Sequence, residues 1–155
     1  MARDMVKAQG IGLIELLVVL VVSGLLLTLA VPAYNGYTER ARVARAIGDI
    51  SSISLAIERF RLHNDDQLPT ALNELRYDVT NDPWGRPYIY LNIPAAGPGK
   101  GGLRKDGKLN PLNNDFDLFS VGKDGKSASP LSAKSSKDDV VRANNGAFIG
   151  LGRDY

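Results

Sequence analysis

The chain begins with a long apolar segment that has almost no polar interruption. Between Ile11 and Gly36 the only charged residue is Glu15. As an α-helix, the part from Ile11 to Ala33 would be roughly 35 Å long, enough to cross the hydrocarbon core of a membrane. A secretory signal peptide has a shorter apolar region, and a buried core helix is rarely apolar on every face. The pattern therefore predicts a membrane-spanning helix near the N-terminus.

Beyond this segment, apolar residues return at three- and four-residue steps. The stripe consists of Val43, Ile47, Ile50, Ile57 and Phe60. This spacing predicts an amphipathic helix over residues 38–64, with Pro69 just beyond its end. Pro32 lies between the two helical patterns and favours a kink or a local break there, because proline removes a helix hydrogen bond.

The pattern changes again in the second half of the chain. "DPWGRPYIYLNI" combines a proline- and glycine-rich turn with an alternating segment, and "FDLFSVG" is a further short alternating segment. Both predict strands. The aromatic residues Trp84, Tyr88 and Tyr90 suit packing of a sheet against the long helix better than a ligand platform. The intervening "PAAGPGKGGLRKDGKL" lacks the order of a phosphate-binding loop and is interpreted as a flexible hairpin insertion.

The amino-acid composition argues against several classes of protein function. The chain has 155 residues, with 19 Lys and Arg against 17 Asp and Glu, and this near balance gives no basis for binding nucleic acid. The absence of cysteine rules out disulfides, thiol catalysis and thiolate metal sites. The single histidine, His63, has no second histidine or thiolate with which to build a site, so it is interpreted as a solvated helix-end residue. No catalytic constellation is visible, and we expect no enzyme activity.

Glu15 requires an explanation, because a carboxylate inside a membrane costs roughly 2.5 kcal/mol or more near the bilayer centre. One interpretation is that Glu15 extends to the lipid head groups. The other is that it pairs with a cation from another molecule. Cleavage of the chain after Gly10 would create such a cation, the α-amine of Ile11 on a neighbouring subunit.

The segment "KAQGIGLIELLVVL" resembles the signal of prepilins, the family of type IV pilins and type II secretion pseudopilins. In that family a membrane peptidase cuts after the glycine and methylates the new N-terminus, which implies cleavage between Gly10 and Ile11 and N-methylation of Ile11. The glutamate five residues after the cut, here Glu15, is implicated in filament assembly. "DPWGRPY" further resembles a signature of the major pseudopilin of type II secretion.

A second candidate site lies in the acidic loop "SVGKDGKSASPLSAKSSKDDVV", residues 120–141. Aspartates brought together by a loop suit a hard cation such as calcium, although Asp is also a common turn residue. The resemblance to major pseudopilins favours a calcium (Ca²⁺) site. It implies five ligands: the side chains of Asp124, Asp138 and Asp139, and the backbone carbonyls of Val121 and Val140.

The resemblance implies an α+β pilin fold, in which the second half of a long N-terminal helix packs on a small antiparallel sheet followed by a C-terminal loop region. We expect a cleaved leader over 1–10, a transmembrane and filament-core segment over 11–34, and a periplasmic head over 35–155. Arg3 and Lys7 before the apolar segment favour a cytoplasmic N-terminus. The expected localisation is the bacterial inner membrane, single-pass, with assembly into a periplasmic filament.

The function that the resemblance implies is that of a structural subunit of a type II secretion pseudopilus. Its expected partners are further copies of itself (a homopolymer), other pseudopilins, the prepilin peptidase, and an inner-membrane assembly platform with a cytoplasmic ATPase. Two alternatives stay open at this point. One is a type IV pilin or minor pilin used for adhesion, motility or DNA uptake. The other is a membrane-anchored periplasmic binding module that does not polymerise.

Overall fold

The computed structural model of the chain describes residues 12–78, 81–97, 103–107 and 110–155. Two helices and four strands are present in this part of the chain. They are α1 (Leu13–His63), β1 (Ile89–Asn92), α2 (Ile93–Ala96), β2 (Phe116–Ser120), β3 (Val140–Ala143) and β4 (Phe148–Leu151). Single 3₁₀ turns occur at Leu72–Glu74, Lys134–Ser136 and Asn144–Gly146. The long N-terminal helix and the strand-rich remainder confirm the predicted α+β fold.

Helix α1 joins the two predicted helical patterns into one element. It continues through Pro32 without interruption, so the expected local break does not occur. Proline removes only one donor from the hydrogen-bond ladder, and the residues around Pro32 are otherwise free of glycine for several positions on the N-terminal side. The helix ends at His63, as the position of Pro69 predicted.

The chain forms two compact units, Met1–Glu39 and Arg40–Tyr155. Within the described residues, the first unit consists of Gly12 and the part of helix α1 that ends at Glu39. The second unit contains the rest of α1 and all four strands, and we refer to it as the head.

The four strands form one antiparallel sheet in the order β1-β2-β3-β4. The register pairs Tyr90 with Leu118, Ser120 with Val140, and Val141 with Gly150. Strands β1 and β2 are the two that the sequence predicted. The β3–β4 hairpin was not predicted, although Asn144, Asn145 and Gly146, all at positive φ, form the type of turn that joins such strands.

One face of the sheet packs against α1. The core between them contains Ile50, Ile53 and Ile57 of the helix, which are at most 1% exposed, together with Phe116 and Leu118 of β2. Tyr88 is buried in the same cluster, and the half-buried Trp84 and Tyr90 pack against it. The predicted helix stripe and aromatic packing are therefore confirmed. Each such side chain contributes roughly 1.5–3 kcal/mol when it is fully buried.

The other face of the sheet carries a second apolar cluster. Because side chains alternate along a strand, Phe119 and Val141 face away from α1 while their neighbours face it. They pack with Leu112, Leu131 and Ala143. Leu112 and Leu131 come from the long connections before β2 and before β3, so these connections cover the outer face of the sheet.

Candidate functional site

Glu15 lies in the first turn of helix α1 and caps it. Its carboxylate accepts a hydrogen bond of 2.9 Å from the backbone N–H of Gly12, the residue immediately before the helix. A glutamate three residues after the cap position supplies half of a capping box. The negative charge is also favourable at the positive end of the helix dipole. Glu15 thus has a local partner, a backbone N–H, in addition to any cation from another molecule.

The residues on either side of Glu15 make α1 long and apolar enough to cross a membrane. Their large side chains are all exposed within the single chain, from 49% at Val22 to 79% at Leu13. They are Leu13, Ile14, Leu16, Leu17, Val18, Val19, Leu20, Val21, Val22, Leu25, Leu26, Leu27, Leu29 and Val31. An apolar surface of this size requires lipid or other helices around it.

The predicted cleavage and methylation site, Gly10 and Ile11, lies outside the described residues. The five predicted calcium ligands are all described, and they gather at one end of the β2–β3 pair. Ser120 pairs with Val140, so Val121 and Asp139 leave the sheet next to each other. The loop of residues 121–139 connects them.

The two halves of this loop approach each other closely at Gly122. Gly122 has a φ of +63°, and a Cβ atom at this position would lie 2.2 Å from the carbonyl oxygen of Asp138. Only glycine fits such an approach. Two further bonds close the turn: the Asp138 carboxylate accepts from the backbone N–H of Asp124 at 2.9 Å, and the Asp124 carboxylate accepts from that of Lys126 at 2.7 Å.

Asp139 points to a different set of groups. It is fully buried, and its Oδ2 accepts hydrogen bonds from Arg104 Nη2 at 2.5 Å and from the Ser127 hydroxyl at 2.6 Å. Arg104 comes from the segment predicted as a flexible insertion, yet it is only 2% exposed. The structure therefore brings Asp124 and Asp138 together, but it directs the Asp139 carboxylate to an arginine.

A second arginine lies on the other side of the same turn. Arg86, in the "DPWGRPY" segment, donates to the carbonyl oxygen of Gly122 at 2.7 Å and to that of Lys123 at 3.5 Å. Its guanidinium fills the space next to Gly125, where a Cβ atom would lie 2.6 Å from it. Arg86 thus satisfies loop carbonyls of the kind that a metal ion would otherwise bind.

Asp82 connects the "DPWGRPY" turn to the start of the acidic loop. It is buried; Oδ1 accepts from the backbone N–H of Trp84 and Arg86, and Oδ2 accepts from the Ser120 hydroxyl at 2.5 Å. The Ser120 oxygen in turn accepts from the N–H of Gly122 at 3.1 Å. The motif is therefore structural, since it fixes the end of β2 from which the acidic loop departs.

The pKa values of the buried carboxylates of the head shift in opposite directions, depending on their partners. Burial raises the pKa of Asp139, and the bonds from Ser127 and Arg104 offset only part of this effect. Burial likewise raises the pKa of Asp117. At Asp115 burial also opposes ionisation, but bonds from Arg142 and the Phe116 N–H outweigh it and lower the pKa.

The carboxylates of the acidic loop are bound to partners other than a metal ion. Within the described residues, no group of three or more His, Asp or Glu side chains is placed to hold a metal. The guanidinium of Arg104 contacts Asp139. Its positive charge would repel a divalent cation from that carboxylate. The calcium site inferred from the resemblance thus stays a prediction, and the Arg104 guanidinium competes with calcium for the Asp139 carboxylate.

The sequence analysis missed the residues that hold the loop. Arg86 lies in the "DPWGRPY" motif, whose separation from the acidic loop along the chain concealed the contact. Arg104 gave no signal, because one basic residue among the glycines and lysines of residues 97–108 looks like a solvated loop residue. The lysines of the loop itself, by contrast, form no ion pair with the three aspartates in the described part of the chain.

The long N-terminal helix and the antiparallel sheet packed on it define a pilin-like fold. Comparison of the sequence with those of known proteins supports this fold. Type II secretion system core protein G from Pseudomonas aeruginosa is 31% identical over 140 residues, which cover 77% of this chain and 87% of that protein. The protein of the same name from Escherichia coli K12 is 30% identical over 141 residues, 87% of this chain and 90% of that protein.

A fimbrial protein from Pseudomonas aeruginosa is 36% identical over 75 residues, but these cover only 47% of this chain. No family model matches the chain, and no solved structure does. The similarity to core protein G extends over most of both chains. The chain belongs to the type II secretion system core protein G family, the major pseudopilins.

Proposed function

We propose that this chain is a structural subunit of a type II secretion pseudopilus, which polymerises through its apolar N-terminal helix. The observation that carries the proposal is the combination of that helix, exposed on all sides, with similarity to core protein G over most of the chain. The similarity to a fimbrial protein covers only about half of the chain. A pseudopilus role is therefore favoured over adhesion or motility.

The apolar part of α1 fits a single-pass protein of the inner membrane. We infer that the N-terminus faces the cytoplasm and the head faces the periplasm, because Arg3 and Lys7 precede the apolar segment. The prepilin peptidase then cuts between Gly10 and Ile11 and methylates the new amine. Removal of the leader leaves Glu15 near the N-terminus of the mature chain.

Assembly moves the apolar helix from lipid into a bundle of identical helices. Between helices in lipid there is no strong hydrophobic driving force, so packing and polar contacts decide which register is formed. Glu15 is the only charged residue between Gly12 and Tyr37. Its carboxylate can pair with the Ile11 amine of a neighbouring subunit, which sets the axial position of each new subunit.

The role implies partners and a source of energy outside this chain. We infer contacts with further copies of the chain, with other pseudopilins and with an inner-membrane assembly platform. A cytoplasmic ATPase supplies the work of extension. Cycles of subunit addition and loss in the periplasm then assist protein export.

The proposal is tested in a strain of the source organism that lacks the chain. Its extracellular proteins are compared with those of strains complemented by the wild type, by Gly10→Val and by Gly24→Ala as a control inside the helix. We expect the deletion to retain exported proteins in the periplasm, the wild type and Gly24→Ala to restore export, and Gly10→Val to fail. Normal export by the deletion strain, with a loss of surface motility instead, would favour the pilin alternative.

Mass spectrometry of the chain from native membranes tests the processing step by itself. The wild type should begin at Ile11 with a methylated amine, and Gly10→Val should retain residues 1–10. Assembled protein that still begins at Met1 would contradict the processing proposal. The pseudopilus role would then be tested by the export experiment alone.

A further inference from the structure

Arg104 belongs to the connection between α2 and β2, and its side chain binds oxygens from both halves of the loop of residues 121–139. Nη1 donates to the Ser127 hydroxyl at 2.5 Å and to the Ala128 carbonyl at 2.9 Å, and Nη2 donates to the Asp139 carboxylate at 2.5 Å. The guanidinium thus collects a carboxylate, a hydroxyl and a backbone carbonyl. Oxygens of these types are the usual ligands of a hard cation in a protein loop.

The position of Arg104 is fixed by its own backbone as well as by its side chain. Its N–H donates to Oδ2 of the buried Asp117 at 2.9 Å, and its carbonyl accepts from the N–H of Leu112 at 2.8 Å. The next residue, Lys105, bonds through its backbone to Ser129 and Leu131 on the acidic-loop side. The short segment of residues 103–107 therefore places Arg104 between the sheet and the loop.

The surroundings of this pair are closed to water. The side chains of Arg104 and Asp139 are 3% and 0% exposed, and the guanidinium stacks on Phe119 with 4.1 Å from its central carbon to the ring centroid. A carboxylate buried this deeply is strongly unfavourable unless a cation neutralises it. Oδ1 of Asp139 has no hydrogen-bond partner, so the opposite charge of Arg104 is the main compensation that the described residues provide.

We propose that the Arg104 guanidinium takes the place of a metal ion in this head, so that folding of the acidic loop is independent of calcium. A bound metal stabilises a fold in proportion to its concentration and affinity. An arginine belongs to the chain and is present in every molecule. The loop of residues 121–139 is then tied to β3 whatever the free calcium concentration outside the inner membrane.

The first experiment is thermal unfolding of the full chain in detergent micelles, followed by the fluorescence of Trp84, the only tryptophan. Trp84 packs against the core of the head, so its signal reports the head and not the apolar segment. We expect the same melting temperature in millimolar calcium chloride and in excess chelator. A higher melting temperature with calcium would overturn the proposal.

The second experiment compares Arg104→Gln with the double variant Arg104→Gln/Asp139→Asn, in chelator. Arg104→Gln leaves a buried carboxylate without its cation and should lower the melting temperature by roughly 10–20 °C. The double variant removes both charges and should melt well above Arg104→Gln. Arg153→Gln is the matched control, because Arg153 forms an exposed pair with Asp154, and it should melt like the wild type.

Two results would contradict the proposal that Arg104 takes the place of a metal ion. One is an Arg104→Gln melting temperature no lower than that of the Arg153→Gln control. The other is a double variant that melts no higher than Arg104→Gln, since the charge on Asp139 would then not be what Arg104 compensates. If Arg104→Gln does not fold at all, recovery of a folded head in the double variant still supports the pairing, and failure to recover opposes it.

Discussion

The phenolic hydroxyl of Tyr88 donates a hydrogen bond of 2.8 Å to the carboxylate of Asp49 on helix α1. Tyr88 follows directly after the proline of the "DPWGRPY" turn, and Asp49 lies next to Ile50 in the buried stripe of the helix. This single bond joins the conformationally restricted turn to the helix part of the head. Burial of Tyr88 and its contact with Asp49 both raise the pKa of its hydroxyl, which stays protonated as the donor.

Tyr88→Phe should therefore destabilise the head without altering its packing. A hydrogen bond to a charged group contributes about 1.5–3 kcal/mol, and the lower end applies here because the Asp49 side chain is 27% exposed. Urea unfolding of the full chain in detergent, followed by Trp84 fluorescence, measures the loss. Tyr77→Phe is the matched control, since Tyr77 is 42% exposed, and an equal loss in both variants would refute the role of the bond.

A second pair controls how the head responds to acid. Arg142, 4% exposed, donates to both carboxylate oxygens of Asp115, at 2.8 and 2.6 Å, and lies over the ring of Phe116. Because the folded pKa of Asp115 is lowered, its stabilising contribution is present above the unfolded value of about 3.9. That contribution is lost as the pH falls through the lower folded value.

Asp115→Asn should accordingly cost on the order of 2–3 kcal/mol at pH 7, and the difference from wild type should shrink below about pH 4. Urea midpoints at pH 7, 5 and 3 test this. Asp154→Asn serves as the control, since its pair with Arg153 is exposed. A difference between Asp115→Asn and wild type that is constant with pH would show that the pairing of Asp115 does not depend on its charge.

The close approach at Gly122 gives a prediction with a matched glycine. Gly122→Ala combines a positive φ with a Cβ atom 2.2 Å from the Asp138 carbonyl oxygen, whereas Gly85→Ala has a φ of +85° but nothing within 4 Å. Both substitutions incur the backbone strain of about 1 kcal/mol. Only Gly122→Ala must also move the Asp138 backbone, so its total loss should be on the order of 3 kcal/mol. Equal urea midpoints for the two variants would mean that the loop adjusts freely.

The sequence predicted the parts of the fold that depend on local periodicity. The stripe containing Ile50 and Ile57, the strand after "DPWGRPY" and the aromatic packing of Tyr88 all follow from spacing and burial preference. The β3–β4 hairpin was missed because its strands, "VVRA" and "FIGL", lack the alternation of apolar and polar residues that marks β1. The uninterrupted helix at Pro32 shows that a proline's lost hydrogen bond can be outweighed by good helix formers on its N-terminal side.

The contacts of the acidic loop were harder to predict, because the residues that bind its polar groups are distant in sequence. Arg104 lies 35 residues from Asp139, and Arg86 lies 36 residues from Gly122. Periodicity carries no information on such contacts, and the resemblance indicated a ligand set without indicating what else approaches it. A cluster of aspartates in a sequence therefore predicts a site that needs positive charge. It does not predict whether a metal or an arginine supplies that charge.

Glu15 caps helix α1 and is also proposed to pair with the amine of a neighbouring subunit. Two substitutions can separate these roles. Glu15→Gln keeps an oxygen that can accept from the Gly12 N–H, the bond observed at 2.9 Å, but it cannot pair as an anion with an amine. Glu15→Val loses both functions. If charge pairing with the Ile11 amine of a neighbour drives assembly, both variants should insert in the membrane and both should yield few filaments. If helix capping is what matters, Glu15→Gln should assemble like the wild type and Glu15→Val alone should fail. Counting filaments sheared from cells that express equal amounts of each protein distinguishes these outcomes, and wild-type yield from Glu15→Gln would refute the pairing.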